Sequence, residues 1–140
     1  MATRADLQPL FEAARYVVGE GIALEIGRES VELDQWLRAN HATSAALLTA
    51  FNPRGRLSDA SVNSQNQAEL EAALVEGGHR WVGASASGDG WPVEPMFAVF
   101  DLPEREASRL CGIFEQAAAV WVEIARPPRL VWHGEYDDDA

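Results

Sequence analysis

The feature that most constrains the fold is an apolar run that ends abruptly. Ala45–Phe51, A-A-L-L-T-A-F, carries no charge and stops at Asn52-Pro53. A run of this length between turn signals reads as a buried strand. It crosses Arg54-Gly55-Arg56 and meets Ser58-Asp59, which has the look of a helix start. Strand, tight loop and helix N-terminus together put polar side chains and free backbone N–H groups at the carboxyl end of a strand, where α/β proteins commonly hold ligands.

The rest of the chain supplies elements on either side. Leu7, Leu10, Phe11 and Ala14 share one helical face, and Pro9, tolerated in a first turn, sets that helix to begin near Asp6. Arg15–Gly19 and Ile22–Gly27 flank Glu20-Gly21 as a hairpin. Ser30 is an N-cap for a second helix reaching Ala39, with Leu33, Trp36 and Leu37 inward. A third helix runs from Asp59 to Glu76 and ends at Gly77-Gly78. Its inner stripe is apolar at Leu70 and Leu74 but polar at Gln67 and Asn63, and buried amides need partners.

Strands follow at His79–Ala86 and Met96–Leu102, separated by a turn at Ser87–Trp91. Pro92 and Pro95 read as keeping the intervening segment out of a central ladder. Met96, Ala98 and Phe100 fall on one side and Phe97 and Val99 on the other, the mark of an interior strand. Pro103 opens a fourth helix whose inner face is Ala107, Leu110, Cys111 and Phe114. Ala118–Ile124 and Arg129–His133 are two final strands joined through residues 125–128. The expected fold is α+β, a single mixed sheet covered by helices. Its ferredoxin-like β-α-β-β-α-β core is extended by an N-terminal hairpin and a C-terminal strand. Residues 1–136 form one domain in this reading, followed by an acidic tail at 137–140 expected to be solvated and mobile.

The totals exclude several classes. All 11 cationic side chains are arginine, so neither a Schiff-base lysine nor a phosphate-loop lysine exists. A formal charge of −11 argues against general nucleic-acid binding, which needs cations to displace counterions. No apolar run is long enough to cross a bilayer. The start, M-A-T-R-A-D-L, does not read as a secretory signal, and the cytoplasm is the simplest compartment. One cysteine, Cys111, and three scattered histidines give no disulfide and no metal-ligand spacing. No cofactor or metal is implied.

With these residues in place the chain resembles a bacterial family of proteins of unknown function. The stretches carrying the resemblance are Arg15-Tyr16, Ile26-Gly27, Thr49–Pro53, Ser58-Asp59 with Asn63, Glu94–Phe97 and Phe114–Ala118. They correspond to R-Y-x-V, a hairpin ending in I-G, T-A-[FWY]-N-P, S-[DE], E-P-x-F and F-x-Q-x-A. Asn66 stands where members often carry arginine, and Met96 where a small polar residue is more usual. The resemblance implies no activity and no catalytic residue.

Asn52, Asn63, Glu94 and Gln116 each lie at an element end that one sheet could bring to a single edge. They can form a polar pocket, in which Glu94 is the only candidate general base. Equally, they can form a buried hydrogen-bond network that pins loops. Arg54 and Arg56 could meet a phosphate or carboxylate beside the helix start, or be solvated loop residues. Two functions are compatible with this pattern. One is binding of a polar or anionic small ligand, nucleotide-like, at the end of strand 45–51. The other is a non-enzymatic protein-interaction or regulatory role for an acidic domain.

Overall fold

The computed structural model describes residues 3–136, and the acidic segment 137–140 lies outside the described residues. The elements in chain order are α1 (Arg4–Ala13), β1 (Arg15–Val18), β2 (Ile22–Leu24), α2 (Val31–Ala39), β3 (Ser44–Leu48), α3 (Ala60–Glu76), β4 (Trp81–Gly88), β5 (Trp91–Phe100), α4 (Glu104–Ile113), β6 (Ala118–Glu123) and β7 (Arg126–Trp132). Short 3-10 turns occupy Pro53–Gly55 and Gly134–Tyr136.

Period-two alternation sorts the strand side chains into two cores. Ala45 and Leu47 of β3 join Met96, Ala98 and Phe100 of β5 and Val120 and Val122 of β6 on one face. The intervening Ala46, Leu48, Val99, Ala119 and Trp121 line the other. Both faces of these central strands are apolar, so both must be covered. Leu33 and Leu37 of α2 cover the first face. Leu70 and Leu74 of α3, with Ala107, Leu110 and Cys111 of α4, cover the second.

The seven strands form one sheet in the order β2-β1-β4-β5-β3-β6-β7. Every neighbouring pair is antiparallel, which corrects the expected mixed sheet. Helical crossovers do not require parallel neighbours here. The connection from β3 through α3 to β4 leaves a gap that β5 fills, running the opposite way. The first core draws on Leu24 and Ile26 near one edge and Leu130 near the other, so the sheet curls round it. The curl brings its ends together: the Gly27 N–H, just past β2, donates to the Pro128 carbonyl on β7 at 2.8 Å.

Three proline readings are corrected. Helix α1 starts at Arg4, two residues early, because Thr3 and Asp6 form a reciprocal capping box. Pro9 therefore sits inside the helix. Strand β5 contains both Pro92 and Pro95, and the reason is local. Its first half pairs only with β4, since the β3 ladder reaches no further than Leu48 opposite Phe97. That half is in effect an edge, where a missing N–H is harmless. Likewise Pro127 and Pro128 belong to β7, a strand at one margin of the sheet, and the β6–β7 turn shrinks to Ile124-Ala125.

Candidate functional site

Strand β3 ends at Leu48, yet its backbone continues toward Pro53 under α3 and must find hydrogen-bond partners there. Side chains provide them. The Ala50 N–H donates to Gln67 Oε1 at 2.8 Å, and the Phe51 N–H to Thr49 Oγ1 at 3.1 Å. The Asn52 N–H donates to Asn63 Oδ1 at 2.8 Å. From the other side, Gln116 Nε2 donates to the Phe51 carbonyl at 2.9 Å. Asn52 then turns into the left-handed region (φ 48°) and Arg54 does so again (φ 62°). Two non-glycine residues held there represent local strain that the surrounding bonds must offset.

Asn52 is the hub of this region. Its Oδ1 accepts from Asn63 Nδ2 at 3.0 Å and from the Ser58 N–H at 2.9 Å. Its side chain also lies near the Glu94 carboxylate and acts to lower that group's pKa. Asn52 and Asn63 are 5% and 6% exposed, and a buried amide pair of this kind is stable only when its polar atoms are satisfied. No buried side-chain nitrogen or oxygen among the described residues lacks a partner.

Glu94 lies half-buried on the first face of β5. Its Oε2 accepts the Trp91 indole N–H at 2.9 Å. Burial raises its pKa above the ordinary glutamate value, while the hydrogen bond from Trp91 and the nearby Asn52 amide pull the other way. No cation pairs with it among the described residues. Tyr16 faces the same region. Burial, then the nearby Glu94 charge, pushes its phenol up, and its hydroxyl donates to the Phe11 carbonyl at 3.0 Å.

The structure thus brings Asn52, Asn63, Glu94 and Gln116 to one end of the sheet and turns Arg54 away from them. Arg54 turns to Glu115, with Nη2 at 2.9 Å from Oε1, and its N–H donates to the Glu115 carbonyl at 2.9 Å. Arg56 is exposed on the loop, and its side chain is in no ion pair among the described residues. Asn63 and Gln116 are committed to neighbouring groups, which is the arrangement of a loop-pinning network. Two depressions of the surface lie elsewhere, one between α1 and β7 and one beside β1 and β4. Tyr16, Thr49 and Gln67 join the region without having been singled out as site residues. Gln67 was visible as a polar position on the α3 stripe. Tyr16 reaches Glu94 only through the β1–β4–β5 order, which pairs Tyr16 with Ala86 and Ala86 with Glu94.

Other reactive groups are accounted for. The Cys111 thiol is buried in the second core and pushed up to about 12, so it is an inert hydrophobe. Among the described residues no three His, Cys, Asp or Glu side chains gather to hold a metal, and no helix is long and apolar enough to cross a membrane.

Comparison with curated proteins and with solved structures finds no match. A family described as protein of unknown function (DUF3293) matches residues 48–119. That span holds Asn52, Arg54, Arg56, Asn63, Glu94 and Gln116, and leaves out Tyr16. The match takes in half of the chain, and the chain belongs to the DUF3293 family.

Proposed function

We propose that the rim around Asn52 and Glu94 recognises a small polar ligand, nucleotide-like in carrying both hydrogen-bond donors and an anionic group. One observation carries this reading. Glu94 is a half-buried carboxylate with a raised pKa, held by the Trp91 indole N–H, near the Asn52 amide, and by no cation among the described residues. A ligand N–H or O–H would complete its coordination, and perturbed groups of this kind cluster at binding sites. The Trp91 indole next to it offers a flat surface for a ring. Arg56 and the first turn of α3, whose N-cap Asp59 makes no side-chain cap, would meet the anionic end. Glu94 is also the one group of this rim suited to moving a proton. Melting temperature measured against a panel of nucleosides and nucleotides tests the reading. A stabilising shift that disappears in Glu94→Gln is expected; no shift with any member, or an equal shift in the variant, removes it.

A protein-interaction role is the second reading. It draws on Leu57 and Val93, which are 63% and 65% exposed and adjoin Ser58 and Glu94 in sequence. Photocrosslinking from position 93 in the native cell would give a discrete protein adduct under this reading and none under the first.

We also infer a ferredoxin-like unit over residues 44–123 within a single domain. The β-α-β-β-α-β succession and the order β4-β5-β3-β6 support it. A cytoplasmic location fits the acidic composition and single cysteine, and cell fractionation tests it.

A further inference from the structure

The seam between the sheet edges carries a separate feature. Where α1 passes β7 the surface holds a depression of about 430 Å³, within the size range of small-molecule sites. Arg4, Arg126 and Arg129 line it together with Trp121 and Trp132. Three of the 11 cationic residues therefore meet at one place in a chain of formal charge −11.

Two guanidinium groups lie over indole faces, Arg4 at 5.1 Å from the Trp132 ring and Arg129 at 5.6 Å from that of Trp121. Stacking fixes the plane of each, so that acceptors are met along the guanidinium edge. Arg129 gives part of that edge to both oxygens of Glu104, at 2.9 and 3.1 Å. Arg126 is differently placed. Its side chain is 74% exposed, and its ion pair, Nε to Glu123 Oε2 at 3.8 Å, is too long for a hydrogen bond. Glu123 in turn accepts the Trp121 indole N–H at 3.2 Å. Glu12 and Glu123 also border the depression and Glu104 is bound to Arg129, so three carboxylates stand against its three guanidinium groups. The remaining acidic surface is screened beyond about 8 Å at physiological ionic strength. Within this balance Arg126, exposed and with its side chain in no hydrogen bond among the described residues, is where an added anion would find N–H groups.

We propose that this depression binds an organic anion, a carboxylate or phosphate monoester carried on a flat apolar body. Arg126 takes the head through its unused N–H groups. Ile26, Pro127 and the indole edges take the body. The site shares no residue with the Asn52 rim and stands whether or not that rim binds anything.

The test titrates the full chain with phenyl phosphate, benzoate, benzyl alcohol and inorganic phosphate while following the indole N–H resonances of Trp121 and Trp132. Saturable shifts of both indoles with an aromatic anion are expected, with Kd on the order of 1 mM for so small a ligand. Whichever anion binds more tightly identifies the head group. Arg126→Glu should weaken binding by about tenfold or more while leaving the other indole signals in place, since the residue is exposed. The proposal falls if neither aromatic anion moves the two indoles, or if Arg126→Glu binds as the parent does. It falls equally if benzyl alcohol or inorganic phosphate binds as tightly as the better of the two aromatic anions.

Discussion

Asn52 and Asn63 hold one another by two hydrogen bonds, main-chain N–H to Oδ1 at 2.8 Å and Nδ2 to Oδ1 at 3.0 Å, in a place from which water is nearly excluded. The pair joins the end of β3 to the first turns of α3. Asn63→Ala would leave the Asn52 N–H without its acceptor and deprive its Oδ1 of one of two protein donors. A loss of about 2–3 kcal/mol in urea unfolding is expected from stranding such groups. Asn63→Asp replaces the donor with a second acceptor facing Asn52 Oδ1, and is expected to cost at least as much.

Glu94 sets a pH dependence of opposite sign to most carboxylates. Its folded pKa is raised above the ordinary value of 4.5, so in the window just above that value the native state binds more protons than the unfolded one. Stability therefore falls as pH rises through that window. Glu94→Gln removes the titration, so the stability difference, variant minus parent, should grow in the variant's favour as pH rises from below 4.5 toward neutrality. A difference that is flat with pH would show that Glu94 is not burdened by burial.

Asp101 behaves in the ordinary direction. It occupies the left-handed region (φ 51°), and one oxygen accepts from the Thr43 N–H, the Thr43 hydroxyl and the Ser44 N–H at 3.0–3.2 Å. Partial burial raises its pKa, but these bonds outweigh that and hold it below the usual aspartate value. Its contribution is present above the unfolded pKa of about 3.9 and is lost as pH falls through the lower folded value. Asp101→Ala should cost about 1–2 kcal/mol at neutral pH, discounted toward the lower end because the group is well solvated. The deficit should narrow in acid.

Gly27 offers a conformational test. Its φ of +87° suits glycine, and a Cβ there would meet nothing within 4 Å. Gly27→Ala should therefore be penalised by backbone strain alone, about 1–2 kcal/mol, with no loss of packing. Gly55→Ala, also at positive φ (+70°) in open space but away from the seam, is the control. Similar costs at the two positions are expected, and a clearly larger one at position 27 would overturn the attribution to strain alone.

Local periodicity made much of this architecture readable. The α3 stripe of Leu70, Leu74 and buried Asn63 follows from helical spacing, and the two-sided apolarity of β5 follows from alternation. Proline was a poorer guide, because its effect depends on whether a neighbouring strand needs the missing N–H. Pro95 lies where β3 has already left the ladder, and Pro128 lies on a strand at one margin of the sheet. Neither fact is local. The candidate site divides in the same way. Asn52 and Asn63 are 11 residues apart and joined by one loop, so their meeting could be anticipated. Arg54 finds Glu115 across 61 positions of sequence, and that pairing, which turns it from the rim, depends on α4 and β6 docking beside β3.

The bond between Gly27 and Pro128 joins the opening segment of the protein to its final strand. During synthesis that joint waits for the ribosome to release the last strand. Until then the margin later occupied by β7 belongs to β6, whose apolar residues Val120–Val122 stay open to any passing strand. Once β7 arrives, its paired prolines present a border that other chains cannot extend. At this margin the nascent protein thus has an interval of stickiness that the finished sheet lacks, and shortening the chain before Arg126 would make that interval permanent.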